Sequence, residues 1–207
     1  MKKSIKFAMA AFIAVLSVIV SVSCKKESNA SIIFKSYNIT FTDTTTLGIN
    51  QFAGIDIDGD AINDFILYGS TFSPDDNDTI VNQIGLAKQD GTDNGLVDTV
   101  ITPNPSDPDI SFGILKFLNS GDKIGSSSTF NSDEPAVILR AFKNSTLLAS
   151  FGVTDNADKF IGFKFKIGSV LHYGWLKINL SADKKTLTIK EGAYNTDADE
   201  EINAGEK

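Results

Sequence analysis

Apolar residues in this chain come in short runs, and where they alternate they do so at every second position. Phe163, Phe165 and Ile167 fall on one face of a pleated segment, with Lys164 and Lys166 on the other. Leu176, Ile178 and Leu180 repeat the pattern around Lys177 and Asn179. A period of two belongs to a strand that buries one face. Leu187 and Ile189 resume it after the turn-forming stretch Ser181–Lys185, which predicts a hairpin. From Ser28 onward no segment keeps a helical apolar stripe for three turns.

The same reading predicts strands at Ile32–Tyr37, Ile39–Thr42, Phe52–Ile57, Phe65–Ser70, Ile80–Ala87, Val97–Ile101, Ile110–Phe117, Ala136–Phe142, Thr146–Phe151, Phe160–Ile167, Val170–Leu180 and Thr186–Glu191. Breaker-rich stretches separate them, chiefly Ser73–Asp78, Asp90–Gly95, Asn104–Asp109 and Gly121–Thr129. Fifteen phenylalanines against two methionines favour the half-buried pleated surface over helices. Many short strands without intervening helices predict an all-β domain over 32–207, an antiparallel β-sandwich of jelly-roll-like form, with a closed barrel as second choice.

The first 23 residues have a different character. Lys2, Lys3 and Lys6 precede an apolar run from Phe7 to Leu16 that resumes at Val18–Val20, followed by small residues at Ser21-Val22-Ser23. That order is a secretory signal, and the apolar run is short for a span of roughly 20 helical residues. Cys24, the sole cysteine, follows directly. The segment resembles the lipobox of bacterial lipoproteins, with Ser21 where that pattern prefers Leu. The resemblance implies cleavage before Cys24, acylation of its thiol and amine (palmitate-type chains), and a short linker over 24–31. Each buried methylene contributes about 0.8 kcal/mol, so two or more chains anchor a protein stably. The expected location is the cell envelope, on the outer membrane. Lys25-Lys26-Glu27 leaves the periplasmic and surface sides both open.

Loss of three signal lysines takes the formal charge from −7 to −10. Nucleic acid is bound through lysine and arginine on phosphates, and this chain has one arginine, Arg140, and no basic run longer than pairs such as Lys25-Lys26. Nucleic acid is therefore not an expected partner; a membrane, reached through the lipid, is. With one cysteine no disulfide forms within the domain, so stability comes from core burial or from a metal.

One motif stands above the background. Asp56, Asp58, Asp60 and Asp64 occupy relative positions 1, 3, 5 and 9 of a segment between two strand-like runs, with Gly59 among them. Tight turning brings alternate carboxylates inward, and the carbonyl of Ile62 at position 7 completes an oxygen set suited to Ca²⁺. The segment resembles the calcium loop of FG-GAP repeats, including the hydrophobic Phe65 after the last aspartate. It departs from EF-hand practice twice: Ala61 stands at position 6, where glycine is usual, and Leu67 at position 12, where a bidentate Glu is usual. A backbone with positive φ at Ala61 would cost about 1 kcal/mol. Asp90, Thr92, Asn94, Gly95 and Asp98 echo the spacing weakly. One good copy cannot build a multi-bladed propeller.

The C-terminal third carries His172-Tyr173-Gly174-Trp175, then Thr186–Glu191, Ala193-Tyr194-Asn195 and Ile202-Asn203-Ala204-Gly205. With the Asp-rich loop ending in Asp-Phe, these are similar to segments of uncharacterised secreted and lipid-anchored β-rich proteins of Bacteroidetes. The resemblance implies an exported β protein and carries no activity. His172, the only histidine, has no G-x-S-x-G elbow or further Cys and His ligands to work with, so no catalytic residue is assigned. Two functions follow as expectations. The first is a non-enzymatic envelope module, structural or binding, stabilised by calcium. The second is a glycan-binding or glycan-active accessory protein that stacks sugars on Tyr173 and Trp175. An envelope protein or a glycan would be the partner.

The anchor is directly testable. Cells grown with radiolabelled fatty acid should label the wild-type chain and not Cys24→Ser, and an unlabelled, soluble wild type would overturn the assignment.

Overall fold

The computed structural model describes residues 31–42, 48–73, 79–89, 91–97, 100–104, 107–131, 136–143, 146–151, 156–183 and 185–207. For 48–50, 100–104, 107–112, 136–143 and 146–151 it gives the backbone alone. The expected signal, Cys24 and most of the linker lie outside the described residues. Every regular element described is a β-strand, and no helix long and apolar enough to cross a membrane occurs among the described residues.

Two open sheets face each other. The first runs in the order β1 (Ile32–Thr42), β14 (Thr186–Asn195), β13 (Val170–Leu180), β12 (Lys159–Ile167), β5 (Gly95–Val97) and β9 (Phe130–Asn131). The second runs β2 (Gly48–Ile55), β3 (Phe65–Phe72), β4 (Thr79–Lys88), β10 (Ala136–Lys143), β7 (Asp107–Ile114) and β6 (Val100–Asn104), with β11 (Thr146–Phe151) also on β10. A small ribbon joins β8 (Lys123–Ile124) to β15 (Ile202–Asn203). All pairings are antiparallel except a short parallel one between β10 and β7. The edge of β10 away from β4 is shared: β7 takes Ala136 and Val137, while β11 takes Leu139 to Lys143. Neither sheet closes on itself, so the architecture is the expected antiparallel sandwich and not the barrel.

The alternation read from the sequence decides which side chains meet between the sheets. From the first sheet come Ile161, Phe163 and Phe165, then Leu176, Ile178 and Leu180, then Leu187 and Ile189. From the second come Ile55, Phe65, Leu67, Ile84 and Leu86, and Phe65 meets Phe163 across the gap at 5.4 Å between ring centroids. The predicted hairpin is present, with Leu180 opposite Leu187 and the Ser181 amide donating to the Thr186 carbonyl at 2.8 Å.

The first sheet also buries part of its other face. Phe160, Tyr173, Trp175 and Ala193 point away from the sandwich and are covered by Leu118, Ile124, Ile202 and Ala204. Segment 202–207 closes this second core: the Trp175 indole N–H donates to the Glu206 carbonyl at 3.2 Å, and Phe160 meets Trp175 edge-on at 5.3 Å. Gly174 sits between Tyr173 and Trp175 because the ring of Phe163, its partner on β12, occupies the space a Cβ would need.

Two expectations are corrected. Ile32–Tyr37 and Ile39–Thr42 are one strand, β1, whose register slips between Ser36 and Ile39 opposite a matching slip in β14. A β-bulge breaks alternation without ending a strand. The single strand expected at Val97–Ile101 is two, with β5 in the first sheet and β6 in the second. A run that passes from one sheet to the other keeps its apolar composition, so composition alone did not reveal the division.

Lys177, on the outer face beside Ile178, lies 3.1 Å from an Asp158 oxygen and 3.2 Å from a Glu191 oxygen. Ile178 is 1% exposed. Ile178→Ala should therefore destabilise the domain by roughly 2–5 kcal/mol, and Lys177→Ala by about 0.5–1 kcal/mol, in urea denaturation. Equal effects at the two positions would refute this register.

Candidate metal centre

Residues 56–64 form the connection between β2 and β3, closed at its base by the Ile55–Phe65 pair and by the Asp64 amide donating to the Ile55 carbonyl at 2.9 Å. A hairpin connection this long needs its own internal bonds, and the aspartates supply them. Asp56 accepts from the amides of Gly59 and Ala61, one on each carboxylate oxygen. Asp58 accepts from Asp60 N–H at 3.1 Å, and Asp60 from Ile62 N–H at 2.7 Å. Asp64 accepts from Ile57 N–H at 2.8 Å, tying the end of the loop to its start. The turn requires left-handed backbone at Gly59 (φ 89°) and at Ala61 (φ 70°). Glycine adopts this freely and alanine does not, so the cost foreseen at position 6 is present. At Gly54, on the strand before the loop, the Asn63 side chain fills the place of a Cβ.

These bonds bring three carboxylates together. Asp56, Asp58 and Asp64 each offer an oxygen within 4.8 Å of the others. Asp60 is not in this group, and the Ile62 side chain is turned to solvent with 65% of its surface exposed. All three converging carboxylates are half-buried, which raises the cost of ionising them together. Burial pushes the Asp64 carboxyl up to about 6, against the lowering effect of the Ile57 amide and with help from the charges of Asp58, Asp56 and Asp60. Asp58 is raised as well, chiefly by burial and then by Asp60 and Asp56. The donor set is all oxygen and anionic, the chemistry a hard divalent cation needs.

The surroundings of the loop were not foreseen. Lys35 and Tyr37, on β1 of the facing sheet, both donate to the Asp56 carbonyl, at 2.7 and 3.2 Å. The Lys35 ammonium lies 4.0 Å from an Asp56 carboxylate oxygen. Tyr37 and Tyr194 have their phenols raised by burial first and then by the loop's carboxylates. On the other side Asn94, 2% exposed, donates to the Asp64 carbonyl at 3.1 Å and accepts from the Lys166 amide of β12 at 3.3 Å. Gln89 N–H adds a second bond to the Asp64 carbonyl, at 3.0 Å. Asn94 belongs to the weak echo of the calcium spacing. Asp90 and Asp98 of that echo lie outside the described residues, while Thr92 closes a turn onto Gln89 at 2.7 Å. No sequence spacing links Lys35 or Asn94 to the loop, because the contacts are made across the sandwich.

The candidate stacking residues are corrected. Tyr173 is 3% exposed and Trp175 is fully buried, with Phe130 stacked on Tyr173 at 5.7 Å. They form a core, and no sugar can lie on them. His172 is also buried: its Nδ1 lies 3.0 Å from the Asn195 carbonyl, and its ring packs between Phe165 and Tyr194. No family model, curated protein or solved structure matches the chain.

Asp64 gives a pH dependence. Its folded-state value of about 6 lies above the ordinary value near 3.9, so the metal-free fold favours the protonated carboxyl. That preference is fully present below about pH 4 and is lost as pH rises through about 6. In chelator, the melting temperature of Asp64→Asn relative to wild type should therefore rise between pH 4 and 7. Partial exposure screens the effect, leaving roughly 2–4 °C. A difference that is flat over this range would contradict the assignment.

Proposed function

We propose that this chain is an exported lipoprotein of the bacterial outer membrane, tethered through Cys24, whose β-sandwich serves as a non-enzymatic structural or binding module stabilised by calcium. The convergence of Asp56, Asp58 and Asp64 is the observation that carries the reading. Three ionised carboxylates in one half-buried loop repel one another, and a divalent cation removes that repulsion where a single lysine, 4.0 Å from one of them, removes only part. Asp56, Asp58 and Asp64 would hold the cation. Asp60 and the Ile62 carbonyl would complete the oxygen set. The ion would supply charge neutralisation and rigidity, with no reaction routed through it.

The resting place of His172 also supports a non-enzymatic reading, since its Nδ1 is engaged with the main chain in an aromatic cage. The glycan reading rested on Tyr173 and Trp175 and has lost its surface. The lipid anchor is supported by the placement of Cys24 directly after the small residues of the signal.

A cation that binds only the folded state adds RT ln(1 + [L]/Kd), about 2.7 kcal/mol at a hundredfold excess over Kd. With an alanine at the strained position and no bidentate Glu, the expected Kd is on the order of 10⁻⁴–10⁻³ M, the range of extracellular modules. Millimolar calcium should raise the melting temperature and magnesium should raise it less. Asp58→Ala should abolish the response. Ala61→Gly should raise stability by about 1 kcal/mol even in chelator, because it relieves the positive φ. A wild-type melting curve unchanged between chelator and several millimolar calcium would reduce the loop to an acidic turn.

A further inference from the structure

Among the described residues five large apolar side chains are exposed: Ile33, Phe34, Phe52, Ile62 and Val170. Ile62 and Val170 lie at one end of the sandwich, with Ile33 and Phe34 set back from it along β1. Ile33 lies opposite Tyr194, and Tyr194 opposite Gly174, so the start of β1 is level with the early part of β13, whose first residue is Val170. The 56–64 loop is at the same end, because Asn94 ties the Asp64 carbonyl to the Lys166 amide, and Lys166 pairs with Leu171 beside Val170; Ile62 protrudes from that loop. The Ser181–Lys185 turn marks the opposite end, about 35 Å away along β13.

The chain enters the fold at this apolar end. Ser31 is held there by its carbonyl, which accepts from the Thr196 amide at 3.0 Å and the Thr196 hydroxyl at 2.7 Å. Seven residues lead from Cys24 to Ser31, a reach of at most about 25 Å. We infer that this end of the sandwich rests on the bilayer surface, with Ile62 and Val170 dipping among the lipid headgroups and Ile33 and Phe34 above them on opposite faces of β1. The inference rests on Cys24 being the lipidated residue. A tether this short holds the end at an effective concentration near the millimolar range, so a contact too weak to recruit a free protein suffices to orient a tethered one. The surface is a neutral one. Asp58, Asp60, Asp197, Asp199 and Glu200 are grouped at this end, with the Asp199 amide bonded to the Leu171 carbonyl at 3.0 Å, and they oppose an anionic bilayer. The Lys207 ammonium, 4.3 Å from the centre of the Phe34 ring, sits where a lysine can keep its charge in water above apolar contact.

The test uses the full lipid-bearing chain, purified from membranes and reconstituted into phosphatidylcholine vesicles with or without bromine on the acyl chains. Ile62→Trp places a reporter at the loop tip, and Lys185→Trp places one at the far end; both positions are exposed. With the buried Trp175 signal subtracted, bromine should remove about half of the Ile62→Trp emission and almost none of the Lys185→Trp emission, as expected for insertion of roughly 5–10 Å. Chains that float with the vesicles but show equal quenching at both positions would overturn the docking and leave the anchor standing. Chains that do not float would overturn the anchor and, with it, the orientation argued from the tether.

Discussion

The burial of β12, β13 and β14 on both faces is the constraint on which the rest of this fold depends. A sheet with one solvated face can tolerate polar residues at alternate positions. Here β13 alternates between two cores: Leu176, Ile178 and Leu180 enter the sandwich, and Tyr173 and Trp175 enter the outer one. The outer core is small and exists only because segments far apart in sequence close over it, at Leu118, Ile124, Ile202 and Ala204. A buried indole N–H needs an acceptor, and the Glu206 carbonyl provides it. Ion pairs fasten the same region from outside, with Lys207 on Glu191 at 2.8 Å, Glu191 on Lys177, and Lys177 on Asp158. These surface pairs, half-buried at Lys177 and Glu191, are individually modest, and their value lies in holding segment 202–207 where the apolar contacts can form.

That rigid block positions the acidic loop. Residues 56–64 leave from the second sheet, yet the main-chain carbonyls at both ends of the loop are bonded to other segments. Lys35 and Tyr37 of β1 take the carbonyl of Asp56, and Asn94 relays the carbonyl of Asp64 to β12. The loop is thus a clamp between layers as well as a turn. Any change in its charge state acts on the contact between β1 and β2, two edge strands that no backbone ladder joins among the described residues. Stabilisation of the loop by a cation would accordingly stabilise the open edge of the sandwich, where Gln51 also reaches the Thr42 carbonyl at 3.1 Å.

The sequence disclosed whatever depends on local period or local chemistry. The alternation of Phe163 to Ile167 and of Leu176 to Leu180 fixed both strands and the faces they bury, and the aspartate spacing predicted a turn that gathers carboxylates. What stayed hidden depends on contacts between distant segments. Tyr173 and Trp175 read as a candidate surface because nothing near them in sequence announces the cover supplied by 202–207. The bulge in β1 looked like a strand end because a single extra residue reverses the alternation. The bridging role of Asn94 was obscured by its place in a weak echo of the calcium spacing, when its function is to satisfy buried main-chain groups. A buried asparagine between two bonded backbone groups has no sequence signature beyond its type.

Within the loop the four aspartates divide their labour, and the division follows from counting lone pairs. A carboxylate has about four acceptor sites. Asp56 spends sites on both oxygens to hold the amides of Gly59 and Ala61, the two residues with left-handed backbone. Its bonds are what keep Ala61 in a conformation it would otherwise leave, since strain of about 1 kcal/mol persists only where the surroundings over-determine it. Asp60 holds the amide of Ile62 and is not one of the three converging carboxylates. Asp58 and Asp64 each hold one amide with one oxygen, at 3.1 and 2.8 Å, and keep acceptor capacity facing the others. Removal of Asp56 would therefore undo the turn itself whether or not a cation is bound. Asp58 contributes one internal bond to the fold and most of its charge to the cluster. It is the position where the chemistry of the site separates most cleanly from its architecture.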